Sequence, residues 1–314
     1  MNLNLAHLHL IMNHVPTIGS VAALALLLLG YVRRSEHLKH VGLEVLFVIA
    51  VLTLPVYVSG VAAHQEVKTF KEVSDDAIRV HQDAALIAFV VMEFAGFVAW
   101  AALWQWRRHG RAANGLVPAA TVLLVLALAV MARAANLGGE IRHPEILEGA
   151  VAAPAGNPER FMTWSVNQVA VYSRWAWPAA ETVHFLGLSL SFGVLLAVNL
   201  RILGVMRQIP FADVHRLLPW GMLGFGANLI TGMFFFVGQP GQYSSSEPFK
   251  WKVLFLVIAG ANFLYLTVFG RPWARGNDRF DAGLGDKAMA ILSMASWVAV
   301  LWAGRMLPFL GKAF

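Results

Sequence analysis

The sequence predicts an all-α polytopic membrane protein of about eight transmembrane helices, arranged as two four-helix bundles. Three observations predict it. The chain is 58% hydrophobic and 13% charged, with a mean hydropathy of +0.62, which is outside the range of water-soluble domains. Its apolar residues collect into stretches of spanning length, roughly 20 residues at about 1.5 Å rise each. Lys and Arg alternate between successive connections, as the positive-inside rule requires.

The apolar stretches run over about Leu10–Val32, Val41–Ala63, Ala84–Trp106 and Leu116–Leu137, and then over Pro178–Leu200, Leu217–Val237, Trp251–Phe269 and Ala288–Leu307. The segment before the first lacks a basic flank and the stretch itself is long enough to span, so it reads as a retained start-transfer helix rather than a cleaved leader. The one long connection carries Pro144, Pro154 and Pro158 and reads as a surface cap. The expected domains are therefore residues 1–146, a linker at 147–177, and residues 178–314. Arg33, Arg34 and Lys39, then Arg107, Arg108 and Arg111, then Arg201, Arg207 and Arg216, then Arg271, Arg275, Arg279 and Lys287 mark four cytoplasmic connections. Acid-rich connections (Glu66, Glu72, Asp75, Asp76, Glu140, Glu145) face the other side, so both termini are expected outside, in a bacterial inner membrane. Trp100, Trp104 and Trp106 at one boundary and Trp164, Trp175 and Trp177 at the other fit interfacial belts.

Composition also excludes chemistries. The chain has no cysteine, so disulfides, thiolate metal sites, iron–sulfur clusters and covalently attached haem are ruled out. Any metal or haem must be held by His, Met, carboxylate or backbone. The formal charge of +6 is a topological signal rather than a nucleic-acid footprint, and no nucleic-acid partner is expected.

With this topology, His14, His64, His81 and His143 all fall at the outer level of the first bundle. Antiparallel helices that bring imidazoles to one depth are what a bis-His haem or a metal site between helices requires. His14 and His81 are the expected axial pair, each about a turn inside its span. His64 and His143, nearer the connections, suit a second site, a haem propionate or a quinone. His7, His9, His37, His40 and His109 read as polar helix tips. Glu93, mid-span, is a proton relay or a hydrogen-bonding partner, and Arg133 and Arg142 are placed to meet propionates or an acidic partner. Gly138 and Gly139 end a helix and let backbone approach a ligand closely. In the second half His184 lies about two turns into its span, where it is either a ligand or firmly hydrogen-bonded. Gly187, Ser189, Ser191 and Gly193 follow it as a close-packing stripe. Lys252 and Arg305 are cations suited to a propionate, a quinone headgroup or lipid phosphate.

The string His9-Leu-Ile-Met-Asn-His14-Val-Pro16, with Ser59-Gly60-Val-Ala-Ala-His64, His81-Gln-Asp-Ala-Ala-Leu-Ile and Gly138-Gly-Glu-Ile-Arg-His143-Pro-Glu-Ile146, resembles a bacterial four-helix membrane-domain family over about Met1–Ile146. The second half resembles another such family through Glu181-Thr-Val-His184-Phe-Leu-Gly-Leu-Ser-Leu, Asn199-Leu-Arg-Ile-Leu-Gly204, Thr231-Gly232 and Gly304-Arg305. Both resemblances imply fold and topology, architecturally similar to b-type cytochrome bundles. The functional expectation is a membrane subunit of an electron-transfer complex that holds haem b near the outer face and exchanges electrons with quinone, an extracytoplasmic redox protein or another subunit. The alternatives are a cofactor-free anchor for peripheral redox proteins and an outward-facing copper or zinc site.

Overall fold

Among the described residues, eight helical spans are long and apolar enough to cross a bilayer, which makes this a multi-pass, all-α membrane protein. The computed structural model describes residues 5–67, 75–142, 162–205, 207–269 and 282–310, and among these no strand occurs. The chain divides into two compact units, Met1–Asn167 and Gln168–Phe314.

In the first unit the helices are α1 (Leu5–Met12), α2 (His14–Val32), α3 (Glu36–Val67), α4 (Asp75–His109) and α5 (Leu116–Arg142). The first span is interrupted at Asn13. Pro16 has no N–H to give the Met12 carbonyl and its ring crowds that oxygen, so the ladder breaks there. α2 packs on α3 and α5, and α4 packs on the same two, closing a four-helix ring with α1 laid against α3. Lipid gives helices no hydrophobic drive to associate, so contact depends on small residues that let backbones approach. A Cβ on Gly96 of α4 would collide with Ala50 of α3. Trp100 is buried against Phe47 and Phe97, at ring distances of 5.9 and 6.3 Å, so it belongs to the core rather than to an interfacial belt.

α6 (Met162–Tyr172) runs across the boundary at Asn167, and the helices that follow in the second unit are α7 (Ala176–Leu203), α8 (Phe211–His215), α9 (Leu218–Gly238), α10 (Pro240–Ser244), α11 (Glu247–Leu264) with a π-turn at Tyr265–Phe269, and α12 (Leu284–Leu310). α7 lies between α9 and α12, and α12 lies against α11. Phe225 of α9 meets Phe263 of α11 edge-on at 6.0 Å. α7 stops at Gly204, whose φ of 90° is open to glycine and strained for other residues; its N–H bonds the Arg201 carbonyl and that of Val205 bonds Leu200. The tightest crossing is α7 on α9. A Cβ on Gly224 would stand 2.6 Å from the Gly187 oxygen and 2.8 Å from the Ser191 nitrogen. Gly187 and Ser191 thus form the packing stripe, whereas Ser189 is exposed and Gly193 has open space around it.

Candidate functional site

His81, in the second turn of α4, donates from Nδ1 to the Ala134 carbonyl of α5 at 2.8 Å. A carbonyl only accepts, so Nδ1 carries the proton and a neutral ring keeps its lone pair on Nε2. The residue four positions after Ala134 is Gly138, and the imidazole lies over it; α5 continues through Gly138 and Gly139 to Arg142 instead of ending at the glycines as the sequence leads one to expect. A Cβ there would stand 3.1 Å from the ring Cε1 and 3.3 Å from Nδ1.

His9 of α1 repeats the arrangement on α3. Its Nδ1 donates to the Val56 carbonyl at 3.0 Å, and the residue four positions on is Gly60, where a Cβ would come within 2.7 Å of Cε1. In the second unit His184 leans on α9 in a related way: its Nδ1 bonds the Thr231 hydroxyl, the Asn228 carbonyl adds its attraction, and Gly232 follows four positions after Asn228, its would-be Cβ 3.7 Å from Cε1. The physical reason is common to all three. A helical carbonyl uses one lone pair on the amide four residues on, and glycine at that position uncovers the other lone pair to a donor from a neighbouring helix. The result each time is an imidazole with fixed orientation and tautomer, which is how ligating histidines are held.

His9 and His81 are half-buried and close enough for their charges to interact. His14 is exposed on α2, and its carbonyl accepts from Thr17. His64 has both ring nitrogens engaged: Nε2 at 2.8 Å from Asp75 and Nδ1 at 3.2 Å from the Gln82 amide. Asp75 also holds Arg79 at 2.8 Å, so His64 fastens the end of α3 to the first turns of α4. His143 lies outside the described residues, and Arg142 closes α5. Arg133 is exposed on α5, next to Ala134. Glu93 sits in α4 with its Oε1 buried and unpartnered among the described residues.

In the second unit, His184 Nδ1 is also 2.8 Å from the Thr231 hydroxyl, which spends its own proton on the Ala227 carbonyl at 2.7 Å. Phe235 packs edge-on to the imidazole at 5.7 Å and Trp177 lies 4.6 Å from Phe235. Lys252 of α11 is half-buried and interacts electrostatically with His184. Tyr243, in the short helix α10 between α9 and α11, is buried; burial, with the Glu181 carboxylate adding to it, pushes its phenol up to about 12. Arg305 lies over the Phe309 ring at 5.3 Å.

From the sequence His9 reads as a polar tip, whereas its ring is half-buried and bonded to α3. The signal that identifies it is Gly60, a glycine four residues after a carbonyl that a neighbouring helix can reach. Among the described residues no group of three or more His, Asp or Glu side chains is arranged to hold a metal ion. A bis-imidazole iron asks for only two.

The fold and these sites define a polytopic α-helical membrane protein whose intramembrane histidines are oriented through backbone carbonyls. No protein-family model, curated protein or solved structure matches the chain.

Proposed function

We propose that this chain is a membrane subunit of an electron-transfer complex, and that its first unit binds haem b between His9 and His81. The observation that carries the reading is the matched pair of Nδ1–H···O=C bonds, to Val56 and to Ala134, each over a glycine. A six-coordinate haem iron takes two neutral imidazoles through Nε2, and each needs its other nitrogen tied to an acceptor so that the ring neither turns nor changes tautomer. His9 replaces His14 as the partner of His81, because the His14 side chain is exposed on α2. Arg133 and Arg142 supply positive charge for the propionates. Bound haem adds a one-electron carrier; the protein sets its orientation and tunes its potential through these ligands and their hydrogen bonds. The electrons pass to or from quinone, or an extracytoplasmic redox protein, at the outer face of a bacterial inner membrane, the orientation that the Lys and Arg distribution favours.

The test is a reduced-minus-oxidised difference spectrum of the full chain, purified from haem-replete cells. A b-type α-band in the green region is expected. Its absence, together with absence of extractable haem, contradicts the reading.

A further inference from the structure

The second unit carries polar groups that the haem reading does not use. The Thr231 hydroxyl gives its proton to the Ala227 carbonyl, so its oxygen can only accept from His184, and the Asn228 carbonyl is a further acceptor on the same helix. Both demand a proton on the ring nitrogen that faces α9. A neutral His184 therefore presents Nε2 as an acceptor with no proton of its own. Lys252 presents the opposite character. It brings donors only, it makes no ion pair among the described residues, and its stem runs along Gly304 of α12, where a Cβ would stand 3.7 Å from Nζ. Phe235 and Trp177 give the His184 side an aromatic wall. One turn beyond Lys252, Phe255 lines an apolar groove of about 660 Å³, whose other walls include Leu203, Ile291, Val298 and Trp302.

We infer that the second unit binds a membrane quinol, an isoprenoid hydroquinone, with a phenolic hydroxyl donating to His184 Nε2, the ring oxygens accepting from Lys252, and the isoprenoid chain in the groove beside Phe255 and Trp302. The chemistry selects this occupant over others that would fit the groove. A phospholipid phosphodiester accepts hydrogen bonds and has no proton to give, so it satisfies Lys252 and meets Nε2 only where its headgroup adds a hydroxyl or an ammonium, which makes phosphatidylglycerol the competitor in the test. An oxidised quinone accepts from Lys252 and gives Nε2 nothing. The hydroquinone both gives and takes. Choosing a quinol rests on the electron-transfer reading, but binding is measured without electron transfer, so loss of the haem spectrum and loss of quinol binding are separate results.

The experiment titrates the purified full chain, in nanodiscs and without oxygen, with a short-tailed hydroquinone, and reads quenching of tryptophan fluorescence. Saturable quenching by the hydroquinone is expected. The dimethyl ether of the same ring, which has no hydroxyl, should bind at least about tenfold more weakly, the loss expected of one hydrogen bond to a buried partner. Lys252→Met and His184→Leu should each weaken hydroquinone binding by about tenfold or more. The ether comparison uses the unaltered chain, so it stands even if a variant fails to fold. Equal affinity for the ether and the hydroquinone, or displacement of the probe by phosphatidylglycerol at equal concentration, overturns the inference.

Discussion

The His81 imidazole lies so close over Gly138 that a methyl group on that glycine would come within 3.1 Å of the ring. This contact lets Nδ1 reach the Ala134 carbonyl at 2.8 Å, and it is repeated more tightly at His9 and Gly60, and more loosely at His184 and Gly232. Alanine at the three glycines should therefore act in a graded order. Gly60→Ala pushes the His9 ring off the Val56 carbonyl, Gly138→Ala shifts His81 by a few tenths of an ångström, and Gly232→Ala makes an ordinary contact. Where the imidazole is an iron ligand, loss of its orienting bond lowers affinity by about 10- to 100-fold. Haem retention during dilution in detergent should fall most for Gly60→Ala, less for Gly138→Ala, and be unchanged for Gly232→Ala.

His64 has its two nitrogens occupied, by Asp75 and by Gln82, so it acts on the junction of α3 and α4. Asp75 is half-exposed, and solvent screening keeps the pair weak. Asp75→Asn should cost no more than about 1 kcal/mol in reversible unfolding from mixed micelles. His64→Ala in that background should add little beyond its own effect in a double-mutant cycle.

The α7–α9 crossing predicts a contrast within one helix. Gly187→Ala and Gly224→Ala each drive a methyl into backbone of the facing helix, an overpacking cost of about 1–3 kcal/mol, with release of α9 from α7 as the visible consequence. Gly193→Ala meets open space and gains helix propensity, so it should be neutral or stabilising by up to about 1 kcal/mol. Thermal unfolding of the three variants in one detergent checks the order.

Tyr243 gives a pH dependence. An unfolded tyrosine ionises near about 10, whereas in the folded chain burial and Glu181 hold the phenol neutral up to about 12. The folded state thus favours the protonated form, and the stability so gained is intact below about 10 and is lost as pH rises toward about 12. A titration of phenolate absorbance should contain a component with a midpoint near 12 that Tyr243→Phe removes.

Much of this architecture is legible in the sequence because lipid imposes so narrow a grammar. A spanning segment must be helical and apolar over a fixed length, so all eight spans are found at their expected places, with ends longer by several residues where amphipathic turns such as 75–83 continue beyond the apolar stretch. The close-packing role of Gly187 and Ser191 is legible for the same reason. What periodicity does not contain is which carbonyl a side chain reaches. Depth along the span places His14 beside His81, but Pro16 breaks the helix between His9 and His14, and it is His9 that meets α3 while His14 is exposed. His64 also lies at the expected level, and only the position of Asp75 and Gln82 shows that both its nitrogens are taken.

The most direct test of the central claim, that His9 and His81 are the axial pair, is low-temperature electron paramagnetic resonance of the oxidised full chain and its alanine variants. A low-spin bis-imidazole ferric signal is expected in the parent chain and in His14→Ala, with conversion to high spin or loss in His9→Ala and His81→Ala. A low-spin signal that survives His9→Ala and disappears in His14→Ala would contradict it.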